Sequence, residues 1–322
     1  MKLSDTIGNT PLMELTNLQI PHGIRIFVKL EYMNPSGSIK DRIVHFILSD
    51  AEKNGVIHSG STIVENTSGN TGASIAMFAA QRGYKAILTM PDKVSMEKQN
   101  ALKAYGAEIV VCPTEATVDS PEHYVKKARS IHRAIPGSFM LNQYNNPLNI
   151  EAHFSSTGPE IWEQTNGEID VFIASGSTGG TISGIGRFLK NKNHRIQNVF
   201  LDPKGSIYYR YFKTGMINQQ DISLYYVEGV GEDHLAKCMD FSIIDDAIQF
   251  DDRSAFMTCR ELAQKEGLLC GGSSGANVFG CLEYAKKLVP PANIVTVLPD
   301  SGIKYISKVY NPEWLRQHNL FE

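Results

Sequence analysis

Apolar residues in the first half of the chain fall into short blocks that switch between the period of a strand and that of a helix. Residues 61–65 (Ser-Thr-Ile-Val-Glu) read as a strand, and the Ala-rich stretch 73–82, apolar on most sides, reads as a buried helix. The pattern repeats with a strand over 85–90, a helix over 95–105 and a strand over 108–112. Ser120-Pro121-Glu122 has the features of a helix start: a Ser cap, Pro at the first helical position and an acid in the first turn. Val125, Ala128, Ile131 and Ile135 then recur at helical spacing, and residues 139–144 close the series as a strand.

A turn signal at Asn145-Asn146-Pro147 separates this series from a second one. The second begins with a helix from about 150 to 165, a strand over 170–174, a Gly-rich loop and a helix to about 190. It continues with a strand over 199–201, helices over 252–266 and 276–288, and a strand over 293–298 so apolar that both its faces must be buried. Strand–helix alternation of this kind means parallel sheets with crossover helices, here in two sets. The predicted class is therefore α/β with two domains, each a mostly parallel sheet flanked by helices.

Composition narrows the options without changing this outline. The 322 residues are 42% apolar and 20% charged, which is globular rather than disordered. The net charge of −3 comes with no basic stripe, so no nucleic-acid partner is expected. No apolar run approaches the ~20 residues of a membrane span, and the N-terminus has no apolar signal core. Cys112, Cys238, Cys259, Cys270 and Cys281 are widely spaced and odd in number, so they read as small buried side chains in a reducing compartment. The nine histidines include no HxxxH or HExxH, and no metal site is expected.

Three Gly/Ser/Thr-rich loops adjoin helix starts: Thr67-Ser68-Gly69-Asn70-Thr71-Gly72, Ser175-Gly176-Ser177-Thr178-Gly179-Gly180-Thr181 and Gly271-Gly272-Ser273-Ser274-Gly275. Such loops turn backbone N–H groups toward one point, where the helix N-terminus adds positive potential, and so suit a phosphate or carboxylate. No Walker loop occurs, and the second loop is not a dinucleotide GxGxxG. A fourth segment, residues 34–42 (Asn-Pro-Ser-Gly-Ser-Ile-Lys-Asp-Arg), leads through a turn into a helix with Lys40 in its first turn. A helix N-terminus disfavours the charged form of a lysine, and a neutral amine attacks carbonyls.

Together with Ile7-Gly8-Asn9-Thr10-Pro11-Leu12, these four segments make the whole chain resemble the fold-type II pyridoxal-phosphate enzymes, in the cysteine synthase and cystathionine β-synthase branch. Pro91-Asp92-Lys93-Val94-Ser95, Gln143-Tyr144-Asn145-Asn146, Asp202-Pro203-Lys204-Gly205-Ser206 and Val227-Glu228-Gly229-Val230-Gly231 look nearer to the cystathionine β-synthase catalytic core. The resemblance implies a tryptophan synthase β-like fold, with residues 41–145 as a smaller mobile domain, residues 1–40 with 146–322 as a larger one, and the cofactor between them.

The resemblance also implies roles. Lys40 holds pyridoxal 5'-phosphate as a Schiff base and serves as the base. Asn70 bonds the cofactor's phenolic oxygen, and Ser177, Thr178, Gly179, Gly180 and Thr181 cradle its phosphate. Ser273 faces the pyridine nitrogen. Thr67, Ser68, Thr71 and Gln143 bind the carboxylate of a small amino-acid substrate. The implied reaction is β-replacement on serine or O-acetylserine through an aminoacrylate, giving cystathionine from homocysteine. Cysteine synthase, an amine-accepting diaminopropionate-type synthase, and a non-catalytic metabolite- or partner-binding protein are the alternatives. A cytoplasmic homodimer in transsulfuration or cysteine biosynthesis, without haem, completes the expectation. Two departures stand out. Ser177 takes the place of the first Gly of the usual phosphate loop, and Glu232 and His234 stand where animal and yeast enzymes carry aromatic residues.

Overall fold

A computed structural model describes every residue except Ser68, Val118 and Glu322. In chain order its principal elements begin with β1 (Leu12–Glu14), β2 (Ile24–Lys29), α1 (Lys40–Lys53), β3 (Thr62–Asn66) and α2 (Asn70–Arg82). Next come β4 (Lys85–Pro91), α3 (Met96–Ala104), β5 (Glu108–Cys112), α4 (Tyr124–Ala134), α5 (Leu148–Ala152) and, after a π-helical turn over His153–Thr157, α6 (Gly158–Gln164). The remainder is β6 (Val171–Ser175), α7 (Gly180–Lys192), β7 (Gln197–Pro203), α8 (Tyr208–Thr214), β8 (Asp246–Phe250), α9 (Asp252–Glu261), α10 (Gly272–Ala285), β9 (Ala292–Val297) and α11 (Pro312–Gln317). No helix among the described residues is long and apolar enough to cross a membrane.

The chain divides into two units, one of Met1–Ile7 with Lys40–Leu148 and one of Gly8–Ile39 with Asn149–Glu322. Met1–Ile7 and Lys40 thus group with the first unit, where the sequence had assigned both to the larger set. In the first unit, β3, β4 and β5 form a parallel sheet in that order. Helix α1 buries Ile43, Val44, Ile47, Leu48 and Ala51, a stripe at helical spacing. These side chains join Ile63, Val64, Ile75, Phe78, Leu88 and Met90 in the core. Each such fully buried side chain contributes about 1.5–3 kcal/mol of apolar burial.

In the second unit the sheet order is β1-β2-β9-β6-β7-β8. Only the β1–β2 pair is antiparallel. The predicted class, α/β with mostly parallel sheets, is the one observed. Strand β6 is buried along its whole length, and α10 packs against β6 and β9. The five cysteines are buried free thiols.

Two predicted elements differ. Ser120-Pro121-Glu122 forms a turn, with Ser120 Oγ accepting from Glu122 N at 3.1 Å, and α4 begins only at Tyr124. The local side-chain bond competes with the helix it was expected to start. Residues 139–144 do not form a strand. Phe139 alone bridges in parallel to Ile63 on β3, and the chain then turns at Asn142, whose φ is +52°.

Candidate functional site

In the second unit, the glycine turn from β6 to α7 is crowded by protein on its inner side. Gly179 caps α7 with φ +85°, and a Cβ there would lie 2.5 Å from the Met239 backbone Cα. A Cβ on Gly180 would lie 2.0 Å from Asn149 Oδ1. Side chains fix the rest of the turn. Asn149 Nδ2 donates to Thr178 Oγ1 at 3.0 Å, and His153 Nε2 lies 3.3 Å from Thr181 Oγ1. The N-cap of the 13-residue helix α7, Gly179, has no side chain to cap it, and Gly180 N donates weakly to Thr178 Oγ1 at 3.4 Å, so the helix N-terminus beyond that bond can receive an anion.

Ser177 behaves differently from its neighbours. Its hydroxyl donates to the Glu232 carboxylate, and its carbonyl accepts from Tyr208 Oη at 2.8 Å. Its hydroxyl proton is thus committed to the protein, and its backbone amide is what it could offer an anion. The strap that carries Glu232 is tied down by Gly231 N donating to Gly176 O at 3.0 Å and Glu232 N donating to Ser206 Oγ at 3.0 Å. Behind it, burial pushes the Tyr208 and Tyr225 hydroxyls up, and the nearby Glu232 carboxylate adds to this. Asp202 is also pushed up, to about 7, because burial outweighs its bonds to Ser206 and to the Tyr209 amide. Its Oδ1 has no hydrogen-bond partner among the described residues.

Ser273 is the second residue of α10 and nearly buried. One turn further on, Asn277 takes the Ser175 amide on Oδ1 at 2.8 Å and gives Nδ2 to Val297 O at 2.8 Å. A single buried amide side chain thus ties the helix bearing Ser273 to the ends of β6 and β9, immediately before the β6–α7 turn. The block that leads to Lys40 is anchored in the same unit. Ile39 N donates to Pro299 O at 2.8 Å, Ser38 bridges Asp300, and Lys304 Nζ bonds Ser36 O and Gly37 O at 3.1 and 3.3 Å.

In the first unit, Lys40 and Asn70 are the opening residues of α1 and α2, and both are half-buried. These two helices pack together, and Ser74 Oγ donates to Asp41 Oδ1 at 2.5 Å. Thr67 Oγ1 accepts from Gly72 N at 3.2 Å and Gly69 N at 3.4 Å, which curls the loop ahead of α2. Thr71 Oγ1 donates to Gln143 Oε1 at 2.7 Å, so two of the expected carboxylate ligands meet. The expected ligand Ser68 lies outside the described residues.

The residues present fit a pyridoxal 5'-phosphate. There is an uncapped helix N-terminus behind a glycine turn that no side chain could share, a lysine at a second helix start, and a buried neutral hydroxyl at a third. Sequence reading missed Asn149, His153 and Asn277, whose partners lie elsewhere in the chain. It also missed Glu65, whose only signal was a charge following the apolar pair Ile63-Val64 on β3.

A family model described as pyridoxal-phosphate dependent enzyme matches residues 3–300. The chain is 43% identical over 318 residues to a cystathionine beta-synthase of Apis mellifera, covering 98% of this chain and 62% of that protein. It is 39% identical over 306 residues to an O-acetylserine dependent cystathionine beta-synthase of Bacillus subtilis, covering 95% of this chain and 96% of that one. Among solved structures, the O-acetylserine dependent cystathionine beta-synthase from Helicobacter pylori superposes with a TM-score of 0.87 at 33% identity, over 96% of this chain and 98% of that one. An O-ureido-L-serine synthase also superposes with a TM-score of 0.87, at 32% identity, over 95% and 93% of the two chains.

Proposed function

This chain belongs to the pyridoxal-phosphate dependent enzyme family, and from that premise we propose that it catalyses β-replacement on serine or O-acetylserine, with homocysteine as the acceptor and cystathionine as the product. The observation that carries the reading is the presence of two separate glycine turns at helix N-termini, one ahead of α7 and one ahead of α2, each suited to an anion, with Lys40 on the helix packed against α2. One turn suits a cofactor phosphate and the other a substrate carboxylate. The relatives named above, one of them matched over 96% of its length, support the same reaction class.

When bound, pyridoxal 5'-phosphate supplies an electron sink for negative charge at the substrate's Cα. The amides of Ser177 to Thr181 hold the phosphate. Ser273 offers the pyridine nitrogen a neutral hydroxyl, and Asn70 the phenolic oxygen an amide. Thr67, Ser68, Thr71 and Gln143 orient the substrate carboxylate and thereby aim the Cα–H bond at Lys40. Lys40 would hold the cofactor in the resting enzyme, and its amine would take the Cα proton of the bound substrate. With serine, Lys40 would pass that proton to the departing hydroxyl, so that the Cβ–O bond breaks with release of water, and would take up the thiol proton as the homocysteine sulfur bonds to Cβ. With O-acetylserine, acetate would leave as the anion, the thiol proton would go to solvent and Lys40 would keep the Cα proton. In either case Lys40 would return a proton to Cα. We take the working form to be a cytoplasmic homodimer, which light scattering checks.

A second reading rests on the strap over the phosphate turn. Donor atoms of Glu232, Asp233 and His234 lie within 4.8 Å of one another there, and such acidic side chains suit a cationic, amine-bearing nucleophile. The deciding experiment offers serine and O-acetylserine, each with homocysteine, sulfide, cysteine and glutamate, and identifies products by mass. Cystathionine as the main product is expected. A product of amine addition selects the second reading, and no product from any pair removes the β-replacement proposal.

A further inference from the structure

A hydrogen-bonded ring closes behind the loop ahead of α2. Glu65, at the end of β3, is 2% exposed. Its Oε2 accepts from the backbone N–H of Asn142 at 3.0 Å, and its Oε1 from the N–H of Asn66 at 3.1 Å. Asn142 is the left-handed residue at which the chain turns, and its carbonyl accepts from the amides of Asn145 and Asn146 at 3.0 and 2.9 Å. The next residue is Gln143, which receives the Thr71 hydroxyl at 2.7 Å. From Thr71 the backbone runs back through Thr67 to Glu65. The only side chains in this circuit are Glu65, Gln143 and Thr71.

Nothing in the strand itself requires an acid at this position, since its β3 neighbours Ile63 and Val64 are apolar and buried. An apolar residue there would take the acceptor from the part-buried Asn142 amide bond, and a donor that loses its partner costs stability. We propose that Glu65 is a positioning residue for substrate binding: by gripping the Asn142 amide it fixes the Asn142 turn and so sets the Gln143 side chain against Thr71 at the substrate-carboxylate loop. Glu65 touches neither substrate nor cofactor. It acts through Gln143 alone.

The inference rests on the carboxylate-loop part of the function proposed above, and the test separates the two. Glu65→Met keeps the volume of the side chain and removes both acceptors. It should raise the KM for the serine-type donor about tenfold, the effect of losing roughly one well-formed hydrogen bond. The KM for the nucleophile, the cofactor content and kcat should change much less. Glu65→Gln, which keeps one oxygen for the Asn142 amide, should restore most of the donor KM. In a double-mutant cycle with Gln143→Ala, Glu65→Met should add nothing to the single Gln143→Ala effect, as expected of a residue acting through its neighbour. Hydrogen exchange provides a readout independent of turnover: the Asn142 amide should exchange faster in Glu65→Met and at the native rate in Glu65→Gln.

An unchanged donor KM in a folded Glu65→Met variant, or additive effects in the cycle, would overturn the proposal. If Glu65→Met does not fold, the cycle is run with Glu65→Ala, which also removes both acceptors and leaves room for water, and additivity there has the same force. If the wild-type chain accepts no serine-type donor, the function reading fails. Asn142 exchange in the variants then decides by itself whether Glu65 holds the turn.

Discussion

Two loops of one build serve the two units by different means. Each runs from the end of a parallel strand into a 13-residue helix, and each has a glycine N-cap with no side-chain cap bond. Ahead of α7, protein packs against the turn so closely that Gly179, at φ +85°, has no room for a side chain. Ahead of α2, Gly69 has φ −140°, and a Cβ there would meet nothing within 4 Å. That loop takes its shape from the hydroxyls of Thr67 and Thr71 and from Gln143 instead. A turn whose glycines are closed in by packed protein suits a permanent guest such as a cofactor phosphate. A loop shaped by side-chain hydrogen bonds, open on one side, suits a substrate that must enter and leave.

The largest effect that tests this contrast is expected from Gly179→Asp. It puts a side chain against Met239 at a left-handed position and a carboxylate beside the phosphate. Cofactor affinity, followed by visible absorbance of the bound form, should fall by orders of magnitude. Wild-type affinity in that variant would mean that the phosphate lies elsewhere. Thr71→Val comes next. Losing the hydroxyl bond to Gln143 costs about 0.5–1.5 kcal/mol, so the donor KM should rise by up to about tenfold with cofactor affinity intact. A change in cofactor affinity of similar size would erase the distinction between the loops.

A smaller effect concerns pH. Burial raises Glu65 to about 7 from 4.5, against the pull of the Asn142, Asn66 and Leu141 amides and of Arg129. A carboxyl with a raised folded value contributes stability that is fully present below its unfolded value and lost as pH rises through the folded one. Thermal melts should therefore show the first unit losing stability as pH rises from 4.5 through about 7. Glu65→Gln should flatten that slope, and an identical slope in the variant would contradict the assignment. The smallest effect is expected of Gly69→Ala, whose added methyl has open space and an accessible backbone. Cofactor affinity should stay within about twofold of the native value, the range of surface substitutions, and a larger loss would mean that this loop too is closed by contact.

Much of this was legible from the sequence because strand and helix periods are strong signals when elements are buried. The three glycine loops, Lys40 and the strand–helix alternation all came from local pattern, and α2, α7 and α10 begin at those loops. What escaped depends on partners far apart in the chain. The segment 139–144 has the composition of a strand, but after a single bridge at Phe139 the chain turns at Asn142, whose amide bonds the Glu65 side chain, a partner 77 residues away. Asn149 reaches Thr178 across 29 residues and Asn277 reaches Ser175 across 102, and the helical spacing of the segments that carry them reveals nothing about these partners. Ser177 appeared in the sequence only as a departure from a glycine pattern. Its partner Glu232, 55 residues on, gives that departure a physical meaning.

Residue-resolved hydrogen exchange on the native chain tests the division of labour between the loops without any substitution. Three states are compared: the chain without cofactor, with pyridoxal 5'-phosphate, and with cofactor plus serine or O-acetylserine. The amides of Gly180, Thr181 and Ile182 should slow on adding pyridoxal 5'-phosphate and stay fast with pyridoxal, which has no phosphate. The amides of Thr71 and Gly72 should slow further only when the amino acid is added. Protection of the α7 amides by pyridoxal alone, or a response to the amino acid at α7 and none at α2, would contradict the assignment of phosphate to one turn and carboxylate to the other.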